Sequence, residues 1–224
     1  MGAIYWQLND CWPVASWSSI DYFGRWKALH YGAKRFFAPL MVSIEEADTL
    51  IKVYVHNETL EEKTCQLQLS VKNKKFSTLV EKTMTVTLDK LSASMAYEQD
   101  FAELLKDYEL KSECYFEAKL IVAGKVESLV THSFVKVKHF NFDKPVYIAK
   151  IEEEEDNFVI SIKSSSYAKY IAISLEGYDY TFSDNYFDIS SKEGVKVYLE
   201  KKQANIDISK IKEIIKIKSI VDTY

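Results

Sequence analysis

From Pro39 onward the chain alternates apolar and polar residues with a period of two. In KTCQLQLSVK, Cys65, Leu67, Leu69 and Val71 alternate with Gln66, Gln68, Ser70 and Lys72. KTMTVTL sets Met84, Val86 and Leu88 against three threonines, and CYFEAKLIV puts Cys114, Phe116, Ala118, Leu120 and Val122 on one face. SFVKVK continues the alternation, with Val135 and Val137 against Lys136 and Lys138. A strand with one buried and one wet face reads this way. About seven such runs fit between Pro39 and Lys138, the size and strand number of an immunoglobulin-like sandwich. DFAELLKDYEL interrupts them. Asp100 and Glu103 have the spacing of a capping box, which predicts one helical turn between two strands. After Pro145 the alternation resumes in NFVISIKS, YIAISLEG, GVKVYLEK and IIKIKSI, predicting a second, smaller all-β unit that is again sandwich-like. The run Glu152–Asp156 holds five acids and no glycine, as a solvated hairpin tip would, whereas a calcium loop spaces its carboxylates around a turn glycine.

The first 38 residues follow another pattern. GAIYWQL is a continuous apolar run, as in a strand buried on both faces. An irregular polar and aromatic loop extends from Asn9 to about Gly24. Trp26, Leu29, Ala33 and Phe36 or Phe37 then recur at helical spacing. Strand, loop and helix make one βα unit, which has no partner to bury its faces. All four tryptophans, Trp6, Trp12, Trp17 and Trp26, lie in this part.

Composition narrows the function. At 224 residues, 47% hydrophobic and 14% aromatic, the chain supports packed domains. The net charge of −4 is small and Arg25 and Arg35 are the only arginines, which argues against nucleic acid as a partner. No apolar run is long enough to cross a bilayer, so no membrane partner is expected. Asn9, Asp10 and Pro13 break the opening apolar stretch, which is therefore not read as a signal peptide, and Trp6 stands where a myristoylation pattern needs Ser or Thr. Cys11, Cys65 and Cys114 are far apart, without a CxxC or an even disulfide framework; a reducing cytoplasm is the simplest reading, with Cys65 and Cys114 as core residues. The Asn57-Glu58-Thr59 sequon is discounted as a chance triplet. His30, His56, His132 and His139 are scattered, so no metal is expected, and no motif calls for a cofactor.

The opening stretch carries a resemblance. Residues Gly2 to Pro39, GAIYWQLNDCWPVASWSSIDYFGRWKALHYGAKRFFAP, resemble the end of the catalytic barrel of β-mannosidases of glycoside hydrolase family 2. There a Gly-x-x-Tyr-Trp-Gln-Leu-Asn-Asp-x-Trp-Pro strand and loop lead into a Trp-Lys-x-x-x-Tyr helix. FSDNYFDI, Phe182–Ile189, is similar to a segment of the family's last sandwich domain, although SSKEG stands where the family usually has a Pro-Gly turn. The resemblance implies a mainly β chain with three parts. Residues 1–38 would be the last strand and helix of a (β/α)8 barrel, 39–140 one immunoglobulin-like β-sandwich, and 141–224 another. The rest of the barrel is missing from this chain.

The implied activity is exo-acting, retaining hydrolysis of terminal β-mannosides. It needs two carboxyl groups about 5 Å apart. In the family both are glutamates on earlier barrel strands, so no catalytic residue is expected here and the chain alone is predicted inactive. Trp6 matches the tryptophan that floors the family's sugar pocket, and a flat indole suits the apolar face of a pyranose. Asn9, Asp10 and Trp12 are weaker candidates for the rim, while Trp17 and Trp26 are read as loop and helix packing. A carbohydrate-binding module is the alternative, with a platform from Tyr178, Tyr180, Tyr186 and Phe187; a purely structural sandwich is another. The exposed 1–38 segment is expected either to form a homodimer or to adhere to the first sandwich. The Lys- and Ile-rich composition suggests a bacterial source.

Overall fold

A computed structural model describes residues 4–223. The elements run α1 Ala28–Phe36, β1 Leu40–Ala47, β2 Leu50–Asn57, β3 Lys63–Asn73, β4 Thr78–Leu88, β5 Ser92–Asp100, α2 Tyr108–Glu113, β6 Cys114–Val122 and β7 Lys125–Ser133. They continue with β8 Tyr147–Glu153, β9 Asn157–Ser164, β10 Ala168–Leu175, β11 Phe187–Ile189, β12 Val195–Glu200, α3 Ile208–Ile214 and β13 Ile215–Lys218. Two compact units form. One is Arg35–Lys144; the other joins Met1–Lys34 to Pro145–Tyr224.

In the Arg35–Lys144 unit, β1-β2-β5 form one antiparallel sheet and β4-β3-β6-β7 the other. The alternation explains the layers. Ile51, Val53 and Val55 of β2 are buried in one core with Leu67, Leu69 and Val71 of β3 and Phe116, Ala118 and Leu120 of β6. Cys65 and Cys114 are buried there too, as their positions on the apolar faces predict. Between β5 and β6, Asp100 Oδ1 accepts from Ala102 N at 2.9 Å, and Leu105 N donates to Phe101 O at 2.9 Å, closing the expected helical turn. The capping box is not completed, because Glu103 pairs with Lys106 at 2.5 Å instead. The strand expected in SFVKVK stops early. Ser133 Oγ donates to Val135 O at 2.9 Å, Phe134 is buried, and Val137–His139 forms a 3-10 turn.

The sandwich of the other unit has β12-β9-β8 as one sheet and β11-β10-β13 as the second. Ile160 of β9 stands opposite Val197 and Ile151, and Ile173 of β10 opposite Ile217. Glu154–Asp156 lie between β8 and β9, so the acidic run does end a hairpin. FSDNYFDI is a pinning segment. Asn185 Oδ1 accepts from Ile173 N at 2.8 Å and its Nδ2 donates to Ile173 O at 2.9 Å, replacing a strand partner, while Asp188 pairs with the buried Lys169 at 2.8 Å. Before β13 comes a helix the alternation did not predict, α3. Asp207 caps it by accepting from Lys210 N at 2.7 Å, and Ile211 and Ile214 are buried.

The N-terminal segment departs most from expectation. Met1–Ala3 of GAIYWQL lie outside the described residues, and residues 4–8 form no strand. Ile4 is 98% exposed and Leu8 is exposed, because no strand among the described residues runs beside them; a single parallel bridge joins Asn9 to Ile20. The helix forms as expected, but Leu29 is exposed and Tyr31 and Ala33 are buried. The segment packs on the last sandwich, within the same compact unit. Tyr31 Oη accepts from Phe182 N at 3.3 Å, Lys34 Nζ donates to Ser183 O at 2.8 Å, and Arg25 pairs with Asp179 at 3.5 Å.

Candidate functional site

The loop Asn9–Gly24 is organised around a buried carboxylate. Asp10 is 5% exposed. It accepts from Ser16 Oγ at 2.5 Å, from Ser18 Oγ at 2.7 Å and from Lys27 Nζ at 3.2 Å. The Ser16 and Ser18 bonds, helped by Lys27, hold this carboxyl below its ordinary pKa of 3.8. Backbone bonds fold the loop back on itself: Ile20 N donates to Leu8 O at 2.8 Å and Asp10 N to Ile20 O at 3.1 Å. The buried Ser19 bonds through Oγ to Leu8 O, to Tyr5 Oη and to His30 Nδ1, at 2.9 to 3.0 Å. Burial pushes the His30 pKa below its ordinary 6.5, which favours the neutral imidazole that meets Ser19 Oγ through Nδ1. Asp21 closes the far end by accepting from Phe23 N, Arg25 N and Arg25 Nε at 2.6 to 3.0 Å.

This scaffold presents an open cleft of about 350 Å³, whose lining includes Trp6, Asp10, Trp12, Val14, Ser16 and Trp17. Trp6 and Trp17 are each 71% exposed, and Trp12 is exposed as well. Of the four residues expected to bind sugar, Trp6, Asp10 and Trp12 are therefore brought together. Asn9 does not line the cleft; its Nδ2 donates to Asp10 O at 3.2 Å. Trp17, expected to pack within the loop, lines the cleft with an exposed ring, because the residues that fill the loop interior are Asp10, Ser18 and Ser19. Trp26 does pack, with its ring 4.2 Å from His30 and 5.2 Å from Tyr31. Sequence reasoning missed the supporting set of Ser16, Ser18 and Lys27. No local motif marks it, since the contacts are formed only when the loop closes.

Chemically, the cleft offers flat apolar faces beside the edge of a polar network. Asp10 and Asp21, the only acids in the first 38 residues, are both engaged in holding the loop. Hydrolysis of a glycoside requires one carboxyl to donate a proton and a second to attack or to activate water. Asp10 and Asp21 are both committed to hydrogen bonds within this segment. Among the described residues no cluster of three metal-ligating side chains occurs, and no helix is long and apolar enough to cross a membrane, which says nothing of β-barrels.

Two immunoglobulin-like sandwiches, one bearing a docked aromatic loop and helix, thus define a multi-module β protein. Residues 49–139 match the model of a mannosidase Ig/CBM-like domain, and residues 142–223 match that of the Ig-fold domain of mannosidases. Over 233 aligned residues the chain is 30% identical to β-mannosidase of Bos taurus, covering 100% of this chain and 26% of that protein. It is 29% identical over 177 residues to β-mannosidase A of Aspergillus fumigatus, covering 74% of this chain and 18% of the relative. Among solved structures, β-D-mannosidase from Dictyoglomus thermophilum superposes with a TM-score of 0.83 at 24% identity, over 96% of this chain and 26% of the other. The chain belongs to the β-mannosidase family, as a C-terminal portion. It spans about a quarter of the length of the curated relatives from cattle and goat, 26% in each.

Proposed function

We propose that this chain is the accessory C-terminal region of an exo-acting, retaining β-mannosidase of glycoside hydrolase family 2, and that its Trp-rich cleft supplies one edge of the pocket for the terminal mannoside. The division into residues 1–38, 39–140 and 141–224 belongs to the same proposal. One observation carries it: Trp6 and Trp12 stand exposed on a loop whose every nearby carboxylate is committed to scaffolding. A pyranose packs its apolar face on an indole, and the remaining groups of the pocket come from the residues that complete the barrel. Asp10 acts as the anchor that sets the pitch of the loop. The catalytic pair lies outside this chain. The three free thiols, two of them buried, support a reducing compartment.

The test has two arms. The chain alone should give no turnover of an aryl β-mannoside. In the full-length enzyme, Trp6→Ala should lower kcat/KM about tenfold or more through lost stacking, worth about 1.4 kcal/mol per factor of ten. Turnover by the chain alone, or a Trp6→Ala enzyme with unchanged kcat/KM, overturns the proposal.

A further inference from the structure

The same compact unit holds a second cleft that the proposed mannoside edge does not use. It measures about 190 Å³ and lies between Arg25, Trp26 and Tyr31 on one side and residues 173–186 of the last sandwich on the other. Tyr178 and Tyr180 present rings 5.5 Å apart and parallel within 19°. Tyr186 lines the cleft too, with its ring 5.9 Å from Tyr31. Tyr178, Tyr180 and Tyr186 are all half-buried, so each is held in place yet leaves ring surface open. The charged lining residues, Arg25 and Asp179, pair with each other at 3.5 Å and remain exposed.

These features select a ligand class. Arg25 is paired with Asp21 at 2.6 Å as well as with Asp179 at 3.5 Å, so its charge is already met and the cleft has no free cation to hold phosphate. Flat tyrosine faces suit a ligand with one apolar side, and a guanidinium beside a carboxylate supplies donors and acceptors for hydroxyls. The volume falls below the range of about 300–1,000 Å³ typical of drug-sized ligands, which limits the occupant to one ring. We propose that this cleft is a second saccharide subsite, binding a single neutral pyranose independently of the Trp6 cleft. The proposal does not rest on the catalytic reading, because it concerns only residues of the docked unit.

Saturation-transfer NMR of the chain with methyl β-mannoside tests it, with affinity read by titration. Tyr178→Ala/Tyr180→Ala should abolish the transfer that persists in Trp6→Ala. Asp179→Asn, a substitution at an exposed position, should weaken binding about fivefold with an unchanged unfolding midpoint; it serves as the test if the double variant fails to fold. Absence of transfer in the wild-type chain overturns the proposal. So does transfer that survives Tyr178→Ala/Tyr180→Ala in the Trp6→Ala background, an unchanged affinity of Asp179→Asn in that background, transfer that disappears entirely in Trp6→Ala, or preferential binding of inorganic phosphate.

Discussion

Tyr31→Ala probes how the tryptophan-bearing segment is held to the last sandwich. Tyr31 is 2% exposed, with its ring 5.2 Å from Trp26 and 5.9 Å from Tyr186. Truncating a buried aromatic of this size costs about 3–5 kcal/mol. The hydroxyl is a separate and smaller part. Its bond from Phe182 N is long, 3.3 Å, so Tyr31→Phe should cost about 1 kcal/mol, the low end for exposing an unmet buried donor. The neighbouring tethers, Arg25–Asp179 and Lys34–Ser183, are solvent-exposed and offer little compensation. At about 3 kcal/mol the undocked population rises roughly 150-fold. The molecule carries its own assay. All four tryptophans lie between residues 6 and 26, so indole fluorescence reports this segment alone, whereas far-UV circular dichroism reports the strands. In Tyr31→Ala the fluorescence transition should move to lower denaturant, ahead of the dichroism transition. The reasoning fails if both midpoints stay in place, or if Tyr31→Phe shifts fluorescence as far as Tyr31→Ala.

Other expectations follow from individual contacts. Gly194 has φ +74°, and a Cβ there would sit 2.1 Å from Ile162 O, so Gly194→Ala should destabilise by about 3 kcal/mol or more in thermal melts. Gly177, at φ +82° but facing open space, should cost only about 1 kcal/mol when changed to Ala. With a thiol reagent, the native chain should show one fast cysteine, Cys11; Cys65 and Cys114 are buried, and burial pushes the Cys114 pKa up to about 11, so both should react only on unfolding. Asp10 is held below 3.8, so its contribution is present above the ordinary carboxylate pKa and is lost as pH falls through the lower folded value. The fluorescence transition should therefore weaken in acid, and Asp10→Asn should flatten that dependence.

The sandwiches were legible because their signal is local. Cys65 to Val71 alternate cleanly, and each apolar position of β3 is buried as its parity predicts; in β6, Cys114, Phe116, Ala118 and Leu120 are buried as predicted, but Tyr115 and Glu117 of the other face are buried too. The α3 helix was hidden by its composition: Ile208, Ile211 and Ile214 are β-branched and merge by eye with the strand that follows, although the Asp207 cap and the three-residue spacing were there to read. The early end of SFVKVK depends on Phe134 turning inward, a tertiary preference that overrides the alternation. For the site, the tryptophans declared themselves by type and motif, but the exposure of Trp17 and the anchoring role of Asp10 depend on closure of the loop by Ser16, Ser18 and Lys27. The seating of Tyr31 on Phe182 spans 151 residues and leaves no trace in either local pattern.

That separation gives the chain a birth order. The segment up to Lys34 and the last sandwich form one unit, with Arg35–Lys144 spliced between them. On the ribosome, the spliced sandwich has all its strands before any strand of the host unit among the described residues is made. The closing strand, Ile215–Lys218, is made roughly 180 residues after Lys34, a wait of about 10–40 s at typical synthesis rates. For most of that interval Tyr31 lacks its partners Phe182 and Tyr186. Nascent chains just long enough to expose residue 144 should therefore display a folded sandwich while Tyr31 still lacks Phe182.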